Sequence, residues 1–156
     1  MSGLRVRPGT AADAPALSAL YEASVRELGA RNYSEAQVAA WASLTPSADS
    51  LAARLDDGRM RLVAELEAVA GFIDVEADGH IDLLYVAPEA AGQGVARLLL
   101  ETAEALAAAQ GVLRLYAEAS ETARPAFERL GYAVTARRDF EVAGVPIHNW
   151  AVEKTL

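Results

Sequence analysis

The first third of the chain has the hydrophobic pattern of one strand followed by three helices. Leu4 and Val6 alternate with charged residues, which is the period of a half-buried strand. Polar residues with capping-box spacing then start a helix over residues 11–28 and a second, shorter helix at Ser34 that ends before Pro46. A third helix is predicted over residues 47–55, where the run Asp-Asp-Gly closes it.

Over residues 59–86 the hydrophobic pattern changes from a helical period to the alternation of β-strands. Three β-rich runs at 59–66, 68–76 and 81–86, separated by a tight turn and by Ala-Asp-Gly, predict an antiparallel meander. The helical period returns over residues 95–109 and stops at Gly111, and residues 112–117 form a further strand. A strand, a helix and a strand this close together predict a right-handed crossover, which sets the two strands parallel.

The end of the chain adds one helix and a two-stranded ribbon. The helix is predicted over residues 123–130, with Pro125 in its first turn, and the ribbon turns at Ala143-Gly144. No linker or repeat interrupts this order. Residues 1–156 are therefore predicted to form one α/β domain on a mixed sheet.

Composition narrows the class of protein. The chain has no cysteine, which excludes disulfides and thiolate chemistry, and without an N-terminal apolar run we expect a cytoplasmic enzyme or binding protein. No apolar run approaches the ~20 residues of a membrane span, so no membrane partner is expected. The 14 basic and 22 acidic residues give a net charge of −8, which repels phosphate backbones. Nucleic acid is therefore not expected as a partner, and cationic or neutral ligands fit better.

The tripeptide Gly92-Gln93-Gly94 opens the long alanine-rich helix although glycine costs about 1 kcal/mol per helical position. Amides of a first helical turn lack backbone partners and point toward anions, and glycine lets a phosphate come close to them. The alternative is structural, with Gly92 as an N-cap and Gly94 packed against the sheet. Placement directly after a strand, on the parallel crossover, favours the phosphate interpretation.

The surrounding residues restrict the phosphate ligand. Arg97 occupies the third small position of a dinucleotide fingerprint, and no Lys-Ser/Thr pair follows as a nucleoside-triphosphate loop requires. The remaining candidate is a carrier that bears a diphosphate, such as coenzyme A.

These residues resemble the GCN5-related N-acetyltransferase (GNAT) family. The match consists of Val86-Ala87-Pro88 at a strand end, Ala91-Gly92-Gln93-Gly94-Val95-Ala96 opening a helix, and later Ser120, Ala123, Ala126, Phe127, Glu128, Gly131 and Tyr132. The order of elements matches along nearly the whole chain. Residues 24–44 and the last residues are similar to the branch of uncharacterised bacterial acetyltransferases related to YafP.

The resemblance implies the fold and the cosubstrate. The implied fold is a single mixed, mostly antiparallel sheet of about seven strands with a central parallel pair and four to five flanking helices. Acetyl-CoA is the implied cosubstrate, and its pantetheine arm is expected along Leu84 and Val86, where the parallel strands splay apart. The backbone amides expected to hold its diphosphate are those of Gly92, Gln93, Gly94, Val95, Ala96 and Arg97. The acceptor amine is expected to enter near Tyr33 and Trp41.

Three positions depart from the family pattern. Ala91 replaces a Gln or Arg near the phosphates, and Ser120 replaces an Asn that hydrogen-bonds the pantetheine or the strand. Phe127 stands where many members have the tyrosine that protonates the leaving thiolate. Phe127 lines the expected cofactor site but cannot donate a proton, which leaves the general acid unidentified.

Acetyl transfer needs a neutral amine, a positioned thioester and a route for protons. Asp82 is the first candidate base, because strand alternation places it opposite Ile81, Leu83 and Tyr85; its alternative is a solvated aspartate. Tyr33 is predicted to line the acceptor site or donate a proton, with simple packing as its alternative. His80 and His148 are expected at the surface, and no metal site is predicted.

The leading hypothesis is an acetyl-CoA-dependent N-acetyltransferase that acts by direct transfer on a primary amine of a small molecule or peptide. One alternative is a non-catalytic domain that binds or senses coenzyme A, which Phe127 permits. Another is a different acyl donor on the same cradle. A monomer or a homodimer is expected, since two-fold dimers are the commonest assembly.

Overall fold

The computed structural model describes residues 3–156, in which a single sheet is flanked by helices. The strands are Arg5–Pro8 (β1), Met60–Leu66 (β2), Ala68–Val75 (β3), His80–Val86 (β4), Arg114–Ala119 (β5), Ala133–Val142 (β6) and Val145–Thr155 (β7). The α-helices are Ala14–Glu27 (α1), Glu35–Ala42 (α2), Ala48–Arg54 (α3), Val95–Ala109 (α4) and Arg124–Arg129 (α5). Short 3₁₀ turns precede α1 and α4 and follow α1 and α3.

The seven strands lie in the order β1-β2-β3-β4-β5-β7-β6. All neighbours are antiparallel except β4 and β5, which are parallel and pair only at His80↔Tyr116 and Ile81↔Ala117. Beyond these two pairs the strands separate. The predicted mixed sheet with one central parallel pair is confirmed.

Local sequence explains where the helices begin. Ser34 accepts a hydrogen bond from the Gln37 backbone N–H (3.1 Å) and its own N–H donates to the Gln37 side chain (2.9 Å), a complete capping box. The Ser47 side chain caps α3 by accepting a hydrogen bond from Ser50 N–H (3.1 Å). Strand β5 begins two residues later than predicted, because Val112 N–H still donates to Ala107 C=O at the end of α4.

Helices cover both faces of the sheet. Cross-strand partners share a face, so Phe72 and Tyr85 lie together, and the ring of Tyr21 from α1 packs on Tyr85 with centroids 4.3 Å apart. Helix α4 packs on the opposite face. There Gly71 of β3 lets it approach, since a Cβ at Gly71 would lie 2.7 Å from a methyl of Val95.

One charged pair is buried within the core on the α1 face. Arg61 and Asp74 form two parallel N–H···O bonds of 2.7 Å, with both side chains fully buried, and Arg61 also donates to the Leu51 carbonyl (2.9 Å). The two charged groups satisfy each other's hydrogen bonds, so their burial is tolerated, whereas removal of Asp74 would leave the Arg61 guanidinium without a carboxylate. Among the described residues, none of the helices has the length and apolarity to cross a bilayer.

Candidate active site

The start of α4 is an open, glycine-lined turn. Gly92 and Gly94 have φ of 77° and 80°, and a Cβ added to either would meet nothing within 4 Å. The first hydrogen bond of the helix runs from Leu98 N–H to Gly94 C=O (3.0 Å). The backbone amides of residues 95–97 therefore have no partner within the helix and point out of its end. Both glycines are therefore required by backbone conformation and also leave space before the amides.

The structure decides against the alternative interpretation of Gly94. The close contact between α4 and the sheet occurs at Gly71, whereas Gly94 touches no neighbouring side chain. The exposed side chains near this turn, Arg97 and Gln93, are bonded to neighbouring groups of the protein. Arg97 pairs with Glu101 along the helix (2.6 Å), and Gln93 reaches back to the Glu89 carbonyl (3.4 Å). The turn remains accessible to an anion.

The separation of β4 and β5 opens a cavity of about 280 Å³. It is lined by six of the residues that the sequence predicts at the site, which are Tyr33, Trp41, Asp82, Leu84, Ser120 and Phe127. Val86 and the glycine turn lie outside this cavity, farther along the same chain segment. The structure thus brings residues of the predicted thioester end and of the predicted acceptor end to one cavity, and the glycine turn follows β4 along the chain.

Aromatic rings form the wall of the cavity on the α1 and α2 face. Trp41 lies edge-on to Tyr33 with centroids 5.5 Å apart and 6.4 Å from the ring of Tyr85. Burial raises the pKa of Tyr85 well above its ordinary value, so its hydroxyl stays protonated. Leu44, half exposed after α2, completes this rim.

Asp82 lies at a β-bulge, and this changes the predicted face of its side chain. The β3–β4 register passes from Asp74↔Leu83 to Val75↔Ile81, which leaves Asp82 as the extra residue. Arg59 Nη1 donates to both Asp74 (2.9 Å) and Asp82 (2.8 Å), so Asp82 lies on the same face as Leu83 and Tyr85. The prediction that it lies opposite these two residues is wrong, because a bulge breaks strand alternation.

Asp82 belongs to a chain of alternating charges that runs from the core to the cavity. Its Oδ2 accepts from Arg59 and is 3.4 Å from Arg54 Nη1, while its side chain remains 27% exposed. Arg59 in turn bridges to the buried Asp74. The carboxylate is therefore held in place from the protein side and faces the cavity with the rest of its surface.

Tyr33 is held by two backbone groups. Its hydroxyl donates to the His148 carbonyl and accepts from the Glu121 N–H, both at 2.8 Å. Burial raises the pKa of the Tyr33 hydroxyl, although the hydrogen bond from Glu121 acts in the opposite direction. These bonds tie the connection between α1 and α2 to β7 and to the residues that follow β5.

Ser120 and Phe127 contribute packing and capping to the site. Ser120 Oγ accepts from Ala123 N–H (3.0 Å) and so shapes the turn before α5. Phe127 is 2% exposed and meets Tyr132 edge-on with centroids 5.0 Å apart. No hydroxyl is present at the position of Phe127, as the sequence indicated.

Both histidines are bonded to carboxylates, which differs from the expected surface positions. His148 lines the cavity, and its Nε2 lies 2.7 Å from Glu121 Oε2, which also accepts from Trp150 Nε1 (2.5 Å). The β5–β7 ladder pairs Ala119 with Trp150, so its continuation past the end of β5 brings Glu121 opposite His148. The sequence did not reveal this pair, because the register of two distant strands creates it.

His80 is enclosed by two carboxylates. Its Nδ1 lies 2.6 Å from Glu76 Oε1 and its Nε2 lies 2.8 Å from Glu118 Oε1. Burial lowers the pKa of His80, but the bonds to Glu76 and Glu118 outweigh this and raise it. Glu76, His80 and Asp82 place ligand-type atoms within 4.8 Å of one another, yet each is already bonded to another side chain. The absence of a metal site stays a prediction.

Comparisons with known proteins agree with this geometry. The family described as "Acetyltransferase (GNAT) domain" matches residues 29–154. The Escherichia coli protein "Uncharacterized N-acetyltransferase YafP" is 27% identical over 150 residues, covering 96% of this chain and 95% of that protein.

Solved structures show the same fold. A GCN5-related N-acetyltransferase from Rhodopseudomonas palustris superposes with a TM-score of 0.90 at 36% identity, covering 100% of this chain and 98% of that one. The PaiA N-acetyltransferase from Thermoplasma acidophilum, in complex with coenzyme A, gives a TM-score of 0.79 at 19% identity and covers 99% of both chains.

The chain therefore belongs to the GNAT family of acetyltransferases, whose cosubstrate is acetyl-CoA. The residues present fit that molecule. The amides at the start of α4 face open space that a Cβ at Gly92 or Gly94 would occupy, and the strand gap leads from this side toward the aromatic wall.

Proposed function

We propose that this protein transfers the acetyl group of acetyl-CoA directly to a primary amine of a small molecule or peptide. The observation that carries the proposal is one cavity between β4 and β5 that joins a predicted thioester site to an aromatic wall with an anionic group. Both reactants can then meet without a covalent enzyme intermediate, and positioning supplies most of the rate.

The cosubstrate is proposed to bind through backbone more than through side chains. Amides from Gly92 to Arg97 take the diphosphate, and the backbone of Leu84 and Val86, freed where β4 leaves β5, pairs with the pantetheine arm. Ser120 shapes the turn beside the thioester and Phe127 packs against it. When bound, acetyl-CoA supplies an activated acetyl group.

The acceptor site favours a cation with an apolar body. Asp82 faces the cavity and the protein carries a net charge of −8, so an ammonium group is attracted. The rings of Trp41 and Tyr85 can pack against the carbon skeleton and against the cation itself. We propose that Asp82 receives the ammonium, and that Tyr33 fixes the wall through its two backbone bonds.

A second candidate function is binding of coenzyme A without catalysis. The observation that favours it is the buried phenyl ring of Phe127, which removes the usual proton donor. This alternative keeps the phosphate turn and predicts no turnover.

A single assay separates the two functions. The purified protein is incubated with acetyl-CoA and a panel of aliphatic, aromatic and peptide amines, and free thiol is measured with a chromogenic disulfide. The proposal expects amine-dependent thiol release and an acetylated product by mass spectrometry. Binding of coenzyme A by calorimetry, without release for any amine, would select the second candidate.

A further inference from the structure

The two histidines of this chain differ in how many ring nitrogens remain available. Both nitrogens of His80 are bonded to carboxylates. In His148 only Nε2 is bonded, and Nδ1 makes no hydrogen bond with any residue among 3–156. Only His148 also lines the cavity. Of the two imidazoles, His148 alone can exchange a proton with a bound molecule.

The partner of His148 sets which nitrogen carries the proton. Glu121 Oε2 accepts from both Trp150 Nε1 and His148 Nε2, and these bonds lower the pKa of the Glu121 carboxyl. An ionised carboxylate can only accept, so the Nε2 of His148 carries hydrogen. In the neutral ring Nδ1 then has a free lone pair, which is the form a general base requires.

The imidazole is held in one orientation. Tyr33 O–H donates to the His148 carbonyl and accepts from the Glu121 amide, so one hydroxyl ties together the backbones of both members of the pair. The ring meets Trp150 edge-on and Tyr33 at an inclined angle, each with centroids 5.8 Å apart. Such fixation is what an orienting shell supplies to a catalytic base.

Charged groups near the pair come from α5, from β6 and from the strands that line the cavity with His148, where Asp82, Glu118 and Arg138 lie. Arg124, at the start of α5, lies 3.9 Å from Glu121 and 4.3 Å over the ring of Trp150. Asp139 of β6 is opposite His148 in the ladder, but its side chain is exposed and pairs with Arg137. Glu121 is thus the charged group that contacts the His148 ring within the described chain.

We propose that His148 is the catalytic residue that accepts a proton from the acceptor amine, with Glu121 and Tyr33 as positioning residues. This inference rests on the proposed function. The amine, after its extra proton has gone to solvent, forms the C–N bond while the C–S bond breaks and the electron pair leaves on sulfur. His148 Nδ1 takes the proton from nitrogen, Glu121 stabilises the imidazolium, and the imidazolium returns the proton to the thiolate.

The assignment explains how Phe127 can occupy the position of the usual proton donor. One imidazole takes the proton from nitrogen and gives it to sulfur, so no separate hydroxyl is needed. Asp82 keeps a different task, because its Oδ2 is bonded to Arg59 on the protein side while its remaining surface attracts the ammonium.

Nuclear magnetic resonance on histidine-labelled protein tests the tautomer without turnover. The chain has two histidines, so the imidazole signals that are absent from His148→Gln belong to His148 and those that remain belong to His80. The expected neutral form of His148 carries hydrogen on Nε2 and a bare Nδ1, and acetyl-CoA is expected to shift its signals more than those of His80. A neutral form protonated at Nδ1 would overturn the proposal, even if no acceptor amine had been found.

Kinetics with the best amine of the panel test the role. His148→Gln is expected to lower kcat by about 100-fold or more, the usual contribution of a general base, with the KM for acetyl-CoA changed by less than about twofold. Imidazole in solution should restore part of the rate of His148→Ala. His80→Gln is the matched control and is expected to retain the wild-type rate.

Each kinetic outcome decides the question. Retention of the wild-type rate by His148→Gln, while it folds by circular dichroism, would overturn the assignment. Equal losses in His148→Gln and His80→Gln would also overturn it, because they would show a general effect of removing a partly buried histidine that is bonded to a carboxylate. Absence of turnover by the wild type would refute the proposed function instead, and the tautomer measurement would still stand.

Discussion

Replacement of Gly94 by valine separates the phosphate-binding role of the α4 start from its conformational role. A matched control for the conformational cost lies just past the other end of the same helix. Gly111, just past the opposite end, has φ of 84° against 80° for Gly94, and a Cβ at either position meets nothing within 4 Å. Both substitutions force an L-residue into the left-handed region, at a cost of about 2 kcal/mol. Both variants should therefore melt roughly 4–8 °C lower, the shift expected for a chain of this size.

The two variants should differ in binding of coenzyme A. At Gly94 the valine methyl groups fill the space before the first-turn amides, so at least two charge-assisted hydrogen bonds to a diphosphate are lost. At about 1.5–3 kcal/mol each, this predicts a dissociation constant at least about 100-fold weaker. Isothermal titration calorimetry with coenzyme A measures it. A constant for Gly94→Val within about threefold of that for Gly111→Val would refute the assignment of the turn.

Three further substitutions test the buried ion pair, an acid-sensitive contact and the acceptor wall. Asp74→Ala leaves the fully buried Arg61 without its carboxylate partner and removes one of the three carboxylates bonded to Arg59, so it should cost about 3–5 kcal/mol in urea unfolding, whereas Asp139→Ala, in an exposed pair, should change little. The pKa of Asp13 is lowered from 3.8 to about 2, chiefly by the hydrogen bond from Arg7. The ionised Asp13 therefore stabilises the folded protein fully above pH 3.8, and this stabilisation is lost as the pH falls to about 2. Asp13→Asn should reduce the loss of unfolding free energy across this pH range, as measured by urea unfolding at a series of pH values. Leu44→Ala should raise the KM for the amine about fivefold, since a half-exposed leucine contributes roughly 1 kcal/mol of apolar contact, while Leu113→Ala on the far surface should not.

Much of the fold follows from local sequence. The capping boxes, the change from a helical to a strand period and the positive-φ glycines fix most boundaries to within two residues. The parallel pairing of β4 and β5 could also be anticipated from the crossover through α4, whereas the place of β7 between β5 and β6 could not. These features depend on near neighbours in the chain, which a sequence displays directly.

The details of the site depend on tertiary pairing. The bulge at Asp82 arises from the meeting of β3 and β4, and simple alternation assigns the wrong face to its side chain. His148 and Glu121 meet because the register of β5 with β7 continues beyond Ala119, and no local pattern encodes that register. A carboxylate two residues beyond a strand end, opposite a histidine on its partner, is the signal that would have found the pair once the register was known.

We propose that the backbone supplies the cosubstrate site and that side chains supply the acceptor site. Gly92, Gly94 and the gap after Ile81 leave backbone groups open to the cosubstrate. Trp41, Asp82 and His148 line the cavity. Acceptor choice is therefore proposed to depend on these side chains.

A crystal structure of the protein with acetyl-CoA shows directly whether the cosubstrate occupies the gap between β4 and β5. The diphosphate is expected on the amides that follow Gly92, the pantetheine arm against Leu84 and Val86, and the thioester in the cavity on the side of His148. Density for the cosubstrate elsewhere, or a thioester separated from the His148 and Trp41 wall by closed protein, would contradict this expectation.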